Sequence, residues 1–345
     1  MALAQQVQLQ RDPGARSDIA RRAAGSPALQ LVGRRLLTAI PVLLGVTFLT
    51  FVVMNLIPGN PAQLILGINA SPAAIAKLDV QLGLNHPFWD RYWLWLDGLL
   101  HGNLGTAYSN QQSVNSDIAQ YLPTTCWLLL YALVGALVLG VIVAVLSARK
   151  PNGIFDRISL AVSMIGLSFA PYALAEVLAW VFAVRVHWFN VIDNNLGGNP
   201  FSAIKALTLP AASIGFGLFA VYTRLLRADI VEQMQREDYI VTAKAKGVAP
   251  WRVLVVHATK NSLFTLITLV ALNLGTLIGA VAIIEPIFSV PGLGAELINA
   301  IQINDLPLIE GIVVVFALVT VAGNLIADLL YAVLDPRIRY GSSGS

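Results

Sequence analysis

The stretch 237-EDYIVTAKAKGVAPWRVLVVHATKNS-262 is the only long charged segment that lies between strongly apolar ones. Gly247 predicts the end of a first helix, and Pro250 predicts the first turn of a second one, because the N–H that proline lacks is not needed there. The spacing of three and four residues places one set of side chains, several of them small, on one face of the first helix: Tyr239, Thr242, Ala243 and Lys246. We therefore predict two short helices joined by a bend, which either contact a partner or form a solvated loop between two membrane spans.

The composition of the whole chain is that of a membrane protein. Of its 345 residues, 57% are apolar and only 12% are charged, and the net charge of +3 is too small to indicate nucleic acid as a partner. The single cysteine, Cys126, excludes an intramolecular disulfide and a cysteine metal site. The sequence contains no GxxxxGK[ST], HExxH or GxSxG motif. We expect no catalytic residue, cofactor site or metal site in this chain.

Six apolar runs predict an all-α membrane protein with six transmembrane helices, since about 20 apolar residues cross a bilayer. The runs are 31–57, the interval between Asp117 and Arg149, Ile158–Val184, Ala206–Thr223, Asn261–Ile284 and Gly311–Ala327. Residues 1–30 are expected to be a disordered cytoplasmic tail, and 341–345 resemble the remnant of an expression linker. Residues 124–340 would form the core, with a cytoplasmic loop over 229–260.

Two features inside the predicted spans leave alternatives open. Glu176 would cost several kcal/mol if it faced lipid at mid-depth, so it should either pack against protein or line a water-filled pathway. Ala271, Gly275 and Gly279 recur at every fourth residue, which favours close helix packing either within the subunit or between subunits.

A large external segment, 58–123, separates the first two spans. Its middle part, Phe88–Gly98, is amphipathic and rich in tryptophan and tyrosine, including Trp89 and Trp93. This pattern is typical of a helix that lies in the membrane interface, although the aromatic core of a small packed cap would look the same.

The charges predict the orientation of the six spans. All but four of the 22 Lys and Arg residues fall on the side that holds both termini and the opening stretch; the four are Lys77, Arg91, Arg185 and Lys205. By the positive-inside rule, both termini are cytoplasmic.

Motifs along the chain resemble those of the integral-membrane permeases of prokaryotic ABC importers, in particular the first permease subunit of the dipeptide, oligopeptide and nickel group. The similarity covers roughly residues 31–340. Its motifs are Asp238-Tyr239, Thr242-Ala243, Ala245-Lys246-Gly247, Gly102–Gly105, Leu122–Thr125, Glu285 with Pro291–Gly294, and Asp335–Arg339. Two positions depart from the pattern: Val241 replaces a glutamate found in the general coupling motif, and Leu263-Phe264 replaces a frequent proline.

The resemblance implies a type I ABC importer permease fold in the prokaryotic plasma membrane. It also implies a heterodimer with a second homologous permease, two ABC ATPase subunits that bind ATP and Mg, an external substrate-binding protein, surrounding lipids and a peptide substrate. Nickel complexes, glutathione and haem are alternative cargoes. The implied ATPase-coupling residues are Asp238, Tyr239, Thr242, Ala243, Ala245, Lys246 and Gly247. The implied residues that dock the binding protein are Trp89, Trp93, Pro291, Gly292 and Gly294.

Two other function classes are weaker. A membrane-embedded enzyme could use Glu176, Asp328 or His257, but no two of these share a local catalytic spacing. A passive channel or receptor would not need the coupling stretch.

Overall fold

The computed structural model describes residues 27–56, 59–67, 70–189 and 200–334. Within these ranges the chain is helical, with one isolated antiparallel bridge between Thr106 and Ser113. The helices are α1 Pro27–Leu56, α2 Pro61–Leu66, α3 Pro72–Gln81, α4 Phe88–Leu100, α5 Val114–Arg149, α6 Ile154–Ser168, α7 Pro171–Leu178, α8 Pro200–Arg236, α9 Asp238–Ala245, α10 Pro250–Arg252, α11 Thr259–Ile287, α12 Leu293–Gln302 and α13 Leu306–Leu334. Most of the predicted tail, the motif Asp335–Arg339 and residues 341–345 lie outside the described residues.

Four of these helices are long and apolar enough to cross a membrane: they lie in α1, α5, α8 and α13. A fifth span is possible if α6 and α7 are counted together. The predicted fifth span falls on α11, of which Gly275–Ile287 is apolar. The prediction of an all-helical membrane fold is confirmed, whereas the number six stays a prediction.

The predicted third span is not one straight helix. Helices α6 and α7 are bent by 107° at Phe169 and Ala170, so this region is either a broken span or a re-entrant loop. Pro171 explains the position of the break, because a residue that precedes proline avoids the helical region. Ala170 accordingly has φ −68° and ψ 140°, in the extended region.

Small residues bring α5 and α8 close together in the centre of the fold. Ala136, Gly140 and Ala144 are buried along α5, as their small-residue spacing predicts. A Cβ atom on Gly215 of α8 would lie 2.9 Å from the carbonyl oxygen of Ala132, so only glycine allows this approach. The main core cluster spans α5, α7, α8, α9 and α11.

Two stretches are π-helical rather than α-helical, with hydrogen bonds over five residues. One, Ala179–Arg185, continues α7, and the other, Val253–Ala258, joins α10 to α11. The second stretch therefore lies directly between the predicted coupling segment and a membrane helix.

Helix α4, in the segment predicted to be external, packs against α1 through aromatic rings. Tyr92 is buried, and its hydroxyl shares a hydrogen bond of 3.2 Å with Thr47 of α1. Phe51 meets the rings of Phe88 and Tyr92 edge-on. One face of α4 is thus the core of a packed cap, which favours that alternative for this face.

Candidate functional site

The end of α9 has the geometry that the sequence predicts for the coupling segment. Gly247 follows the helix with φ +76°, in the left-handed region that glycine adopts without strain. The N–H of Val248 donates to the carbonyl of Ala243 at 3.1 Å, and the N–H of Gly247 donates to the carbonyl of Lys244 at 3.0 Å. These two bonds define a Schellman motif, which closes the helix and redirects the chain. Pro250 then begins α10 at its first position, as predicted.

The predicted contact face of α9 divides between the interior and the surface. Ile240 is fully buried, Ala243 is 8% exposed, and Tyr239 is half-buried against the core cluster. The remaining predicted residues of the helix and its end are exposed in this chain: Asp238, Thr242, Ala245, Lys246 and Gly247. Spacing alone placed Ala243 with Thr242 and Lys246, but packing into the main core cluster turns Ala243 inward. Val241, which is 60% exposed, joins the outer face instead.

Hydrogen bonds fix α9 to the C-terminal part of α8. The hydroxyl of Tyr239 donates to Oε1 of Gln233 at 2.5 Å. Nζ of Lys244 donates to the carbonyl of Met234 at 3.2 Å. A force on the outer face of α9 is therefore carried to α8 through packing and polar contacts together.

A buried ion pair fixes the neighbouring loop to the same part of α8. Arg227 donates to both carboxylate oxygens of Asp156, from Nε at 2.8 Å and from Nη2 at 2.6 Å. The N–H of Asn152 donates to the same carboxylate at 2.7 Å. Sequence reasoning missed this pair, because the partners are separated by 71 residues and no local pattern joins them.

At the opposite end of the molecule, Glu285 caps a helix that lacks its own cap. Gly292 precedes α12 and offers no side chain, so the first N–H groups of the helix need another acceptor. The carboxylate of Glu285, fully buried, accepts from Gly294 N at 2.7 Å and from Ala295 N at 3.1 Å. Oγ1 of Thr125 donates to Glu285 at 2.7 Å and accepts from Leu293 N at 2.8 Å. One network thus joins α5, α11 and α12.

The predicted docking residues differ in their exposure. Gly292 and Gly294 are buried: a Cβ atom on Gly292 would collide with the carboxylate of Glu285, and one on Gly294 would lie 2.7 Å from Cα of Ala282. These two glycines have a packing role in this chain. Trp89, Trp93 and Pro291 are exposed on the surface.

Asp305 fixes the external segment to the start of α13. Its carboxylate, 1% exposed, accepts from Tyr108 N at 3.0 Å and from Ser109 N at 2.8 Å. It also accepts from Leu308 N at 3.4 Å in the first turn of α13. Burial raises the pKa of the Tyr108 hydroxyl, in the same segment, to about 12.

The remaining predicted residues are exposed in the single chain. Glu176 lies on the surface of α7, and Gly275 and Gly279 lie on the surface of α11. This exposure favours a pathway role for Glu176 and a contact with another subunit for the two glycines. Both roles stay predictions.

The residues named for an enzyme do not come together as a catalytic group. Asp328 pairs with Arg35 across α1 and α13, at 2.7 Å from Oδ2 to Nε, which is the helix-end contact expected for a structural aspartate. Among the described residues, no group of three His, Cys, Asp or Glu side chains could hold a metal ion.

Two family models together match nearly the whole chain. Residues 136–340 match the model of the binding-protein-dependent transport system inner membrane component, and residues 28–129 match the N-terminal model of the same membrane components. The dipeptide transport system permease protein DppB of Alkalihalophilus pseudofirmus is 38% identical, over 89% of this chain and 98% of its own length.

Two further relatives are glutathione transport system permease proteins GsiC. The protein from Pectobacterium atrosepticum is 35% identical, over 89% of this chain and 98% of its own length. The protein from an Escherichia coli strain is 33% identical, over 90% of this chain and 99% of its own length. The chain therefore belongs to the family of binding-protein-dependent transport system inner membrane components, the type I permease subunits of ABC importers, which are not themselves enzymes.

Proposed function

We propose that this permease forms half of a translocation pathway for di- or oligopeptides, together with a second, homologous permease. Two ATPase subunits bind ATP and Mg on the cytoplasmic side, and an external binding protein delivers the peptide. The observation that carries the proposal is the outer face of α9, which is exposed although the helix itself is fixed to α8. A helix held so firmly and yet uncovered is suited to dock into another subunit.

Charge supports the orientation that this function requires. The cationic residues concentrate on the side of α9 and of the Asp156–Arg227 pair, and the positive-inside rule places that side in the cytoplasm. The external segment and α12 then face the side from which a binding protein delivers its cargo. We place the complex in the prokaryotic plasma membrane, with both termini of this chain in the cytoplasm.

The contacts suggest how ATPase movement reaches the membrane. Closure of the ATPase pair would displace α9, and α8 would follow because Tyr239 and Lys244 hold the two helices together. The π-helical stretch Val253–Ala258 carries the same displacement to α11. Since α8 and α11 pack on each other and on α5, their joint movement would open the pathway to one side or the other.

Peptide is the cargo class that the relatives support, since one is named for dipeptide transport and two for glutathione, itself a short peptide. A peptide is polar along its backbone and charged at its ends, so its pathway should be wide and weakly polar. Glutathione is the second candidate. The ligand that co-purifies with the cognate external binding protein separates the two cargoes.

Substitution of Ala245 by tryptophan tests the coupling role of α9. Ala245 is exposed, so the larger side chain should leave the permease folded but block docking of the ATPase. In the reconstituted complex we expect Ala245→Trp to abolish uptake and ligand-stimulated ATP hydrolysis.

The matched control is Ala228→Trp, which enlarges an exposed alanine on α8 outside the coupling segment. This variant should retain both activities. Normal uptake by Ala245→Trp, with an ATPase subunit still bound, would rule out α9 as the coupling helix.

A further inference from the structure

A groove runs between α1 and α13 on the surface of the permease. Its volume is about 580 Å³, and apolar side chains line most of its length, among them Val42 and Val46 from α1 with Val313 and Phe316 from α13. The α1 side of the groove is open, since Val42 is 54% exposed. Because α1 and α13 are both long and apolar enough to cross a membrane, the acyl chains of the lipids can fill an open groove between them.

One end of the groove is charged. Arg35 lines it and forms an ion pair with Asp328, which lies one helical turn beyond the lining residue Asn324. The side chains of Arg35 and Asp328 are 55% and 26% exposed. Oδ2 of Asp328 is buried, so Oδ1 is the carboxylate oxygen that a ligand can reach. An exposed ion pair of this kind contributes little to stability, and each partner can accept a new contact at small cost.

The dimensions fit one leaflet. From Arg35 to Val46 the groove follows α1 for about 16 Å at 1.5 Å per residue, close to half of the ~30 Å hydrocarbon thickness. A lipid with its headgroup at Arg35 would therefore extend its chain to about the middle of the bilayer.

We infer that this groove binds a phospholipid with a zwitterionic, primary-amine headgroup, of which phosphatidylethanolamine is the common example. The guanidinium of Arg35 donates to the phosphate, and the ammonium donates to the carboxylate of Asp328. Phosphatidylglycerol satisfies Arg35 alone and is repelled by Asp328, while phosphatidylcholine has no N–H to donate. The site itself is independent of the cargo and of the orientation; the proposed orientation adds only that the lipid belongs to the cytoplasmic leaflet.

Native mass spectrometry of the detergent-purified transporter complex tests the site with three probes: phosphatidylethanolamine, phosphatidylglycerol and phosphatidylcholine of matched chains. We expect the wild type to retain phosphatidylethanolamine about ten-fold better than the other two lipids. This is roughly the change in affinity that one charge-assisted hydrogen bond produces. Equal retention of the three lipids overturns the proposal without any variant.

Three variants separate the parts of the site. Asp328→Asn should abolish the preference for phosphatidylethanolamine over phosphatidylglycerol, and Arg35→Gln should weaken the binding of both. Ala317→Phe should weaken all three lipids, because Ala317 lines the apolar part of the groove. Arg157→Gln, an exposed arginine on α6, is the matched charge control and should change nothing.

Two other results would contradict the inference. One is an unchanged lipid preference in Asp328→Asn. The other is lipid retained by this chain alone but absent from the whole complex, which would show that the second permease covers the groove. Thermal unfolding of each variant is compared with that of the wild type, so that a loss of lipid caused by misfolding is recognised. If a variant misfolds, the lipid preference of the wild type alone tests the proposal.

Discussion

Glu285 lies in α11, but its carboxylate caps the N-terminus of another helix, α12. Its carboxylate takes the place of the N-cap side chain that Gly292 cannot supply, and Thr125 completes the network from α5. Because the carboxylate occupies the space where a Cβ atom of residue 292 would lie, glycine is required there by packing. The backbone itself does not require it, since φ of Gly292 is −129°.

Gly292→Ala should therefore destabilise the permease. The added methyl collides with the Glu285 carboxylate, and overpacking of this kind costs about 1–3 kcal/mol. Thermal unfolding in detergent should show a lower midpoint. Gly217→Ala is the control, because its Cβ meets nothing within 4 Å, and a helical Gly→Ala change is stabilising by roughly 0.5–1 kcal/mol.

A double-mutant cycle with Glu285→Ala isolates the collision. Removal of the carboxylate makes room for the methyl group, so the two changes together should cost less than the sum of the single changes. Additive costs would show that the carboxylate is not the obstacle.

Residue-scale contacts were the least predictable part of the site. The sequence singled out Glu285 and the motif Pro291–Gly294, but gave no reason to connect Glu285 with Thr125, 160 residues away. The resemblance placed Gly292 and Gly294 in the docking surface, which stays a prediction; the structure shows both glycines buried in this chain. The pair Asp156–Arg227 was invisible for the same reason.

At the scale of single elements, the sequence predicted where helices begin and end, but it did not predict which face of a helix is buried. Gly247 and Pro250 end and begin helices where the sequence predicts it, because their backbone preferences act within a few residues. The direction of the α9 faces depends on what α8 offers for packing. The sequence therefore predicted the helix correctly but placed Ala243 on its contact face, whereas it is buried.

The left-handed conformation at Gly247 leads to a prediction about coupling. Gly247→Val forces a β-branched residue into that conformation at a cost of about 1–2 kcal/mol, so the end of α9 should be displaced while the membrane core stays folded. Reconstituted complexes should show ATP hydrolysis that no longer depends on ligand, and loss of uptake.

Gly247→Asn is the informative comparison. Asparagine tolerates the left-handed region, and the structure leaves open space around Gly247. We expect near-normal transport from this variant. Full ligand-stimulated activity in Gly247→Val would contradict a role for the Schellman motif in coupling.

At the scale of the whole molecule, apolar runs predicted the membrane class and most of the long helices, because the bilayer imposes their length. They did not predict the 107° bend between α6 and α7, although Pro171 marked its position. Composition alone does not say whether such a break ends a helix or only kinks it.

The attachment of the external segment to the membrane part rests on Asp305. Asp305→Ala would leave the N–H groups of Tyr108 and Ser109 without this acceptor. A fully buried donor without a partner costs about 1–3 kcal/mol, and each of these part-buried groups should cost less. Hydrogen exchange should become faster in residues 101–113, with little change in α9. The exposed Asp90→Ala, on α4, serves as the control; equal protection of 101–113 in both variants would show that other contacts hold the segment.

The π-helical stretch Val253–Ala258 changes the direction in which the following side chains point around the helix axis. Each π-helical turn holds about one residue more than an α-helical turn, so the faces of α11 are rotated by about 100° from where an uninterrupted α-helix would place them. The short helix α10 and the helix α11 are thus offset from each other by one residue. Across Val253–Ala258 the hydrogen bonds join residues five apart, so the spacing of three and four residues that defines a face of α11 does not continue into α10.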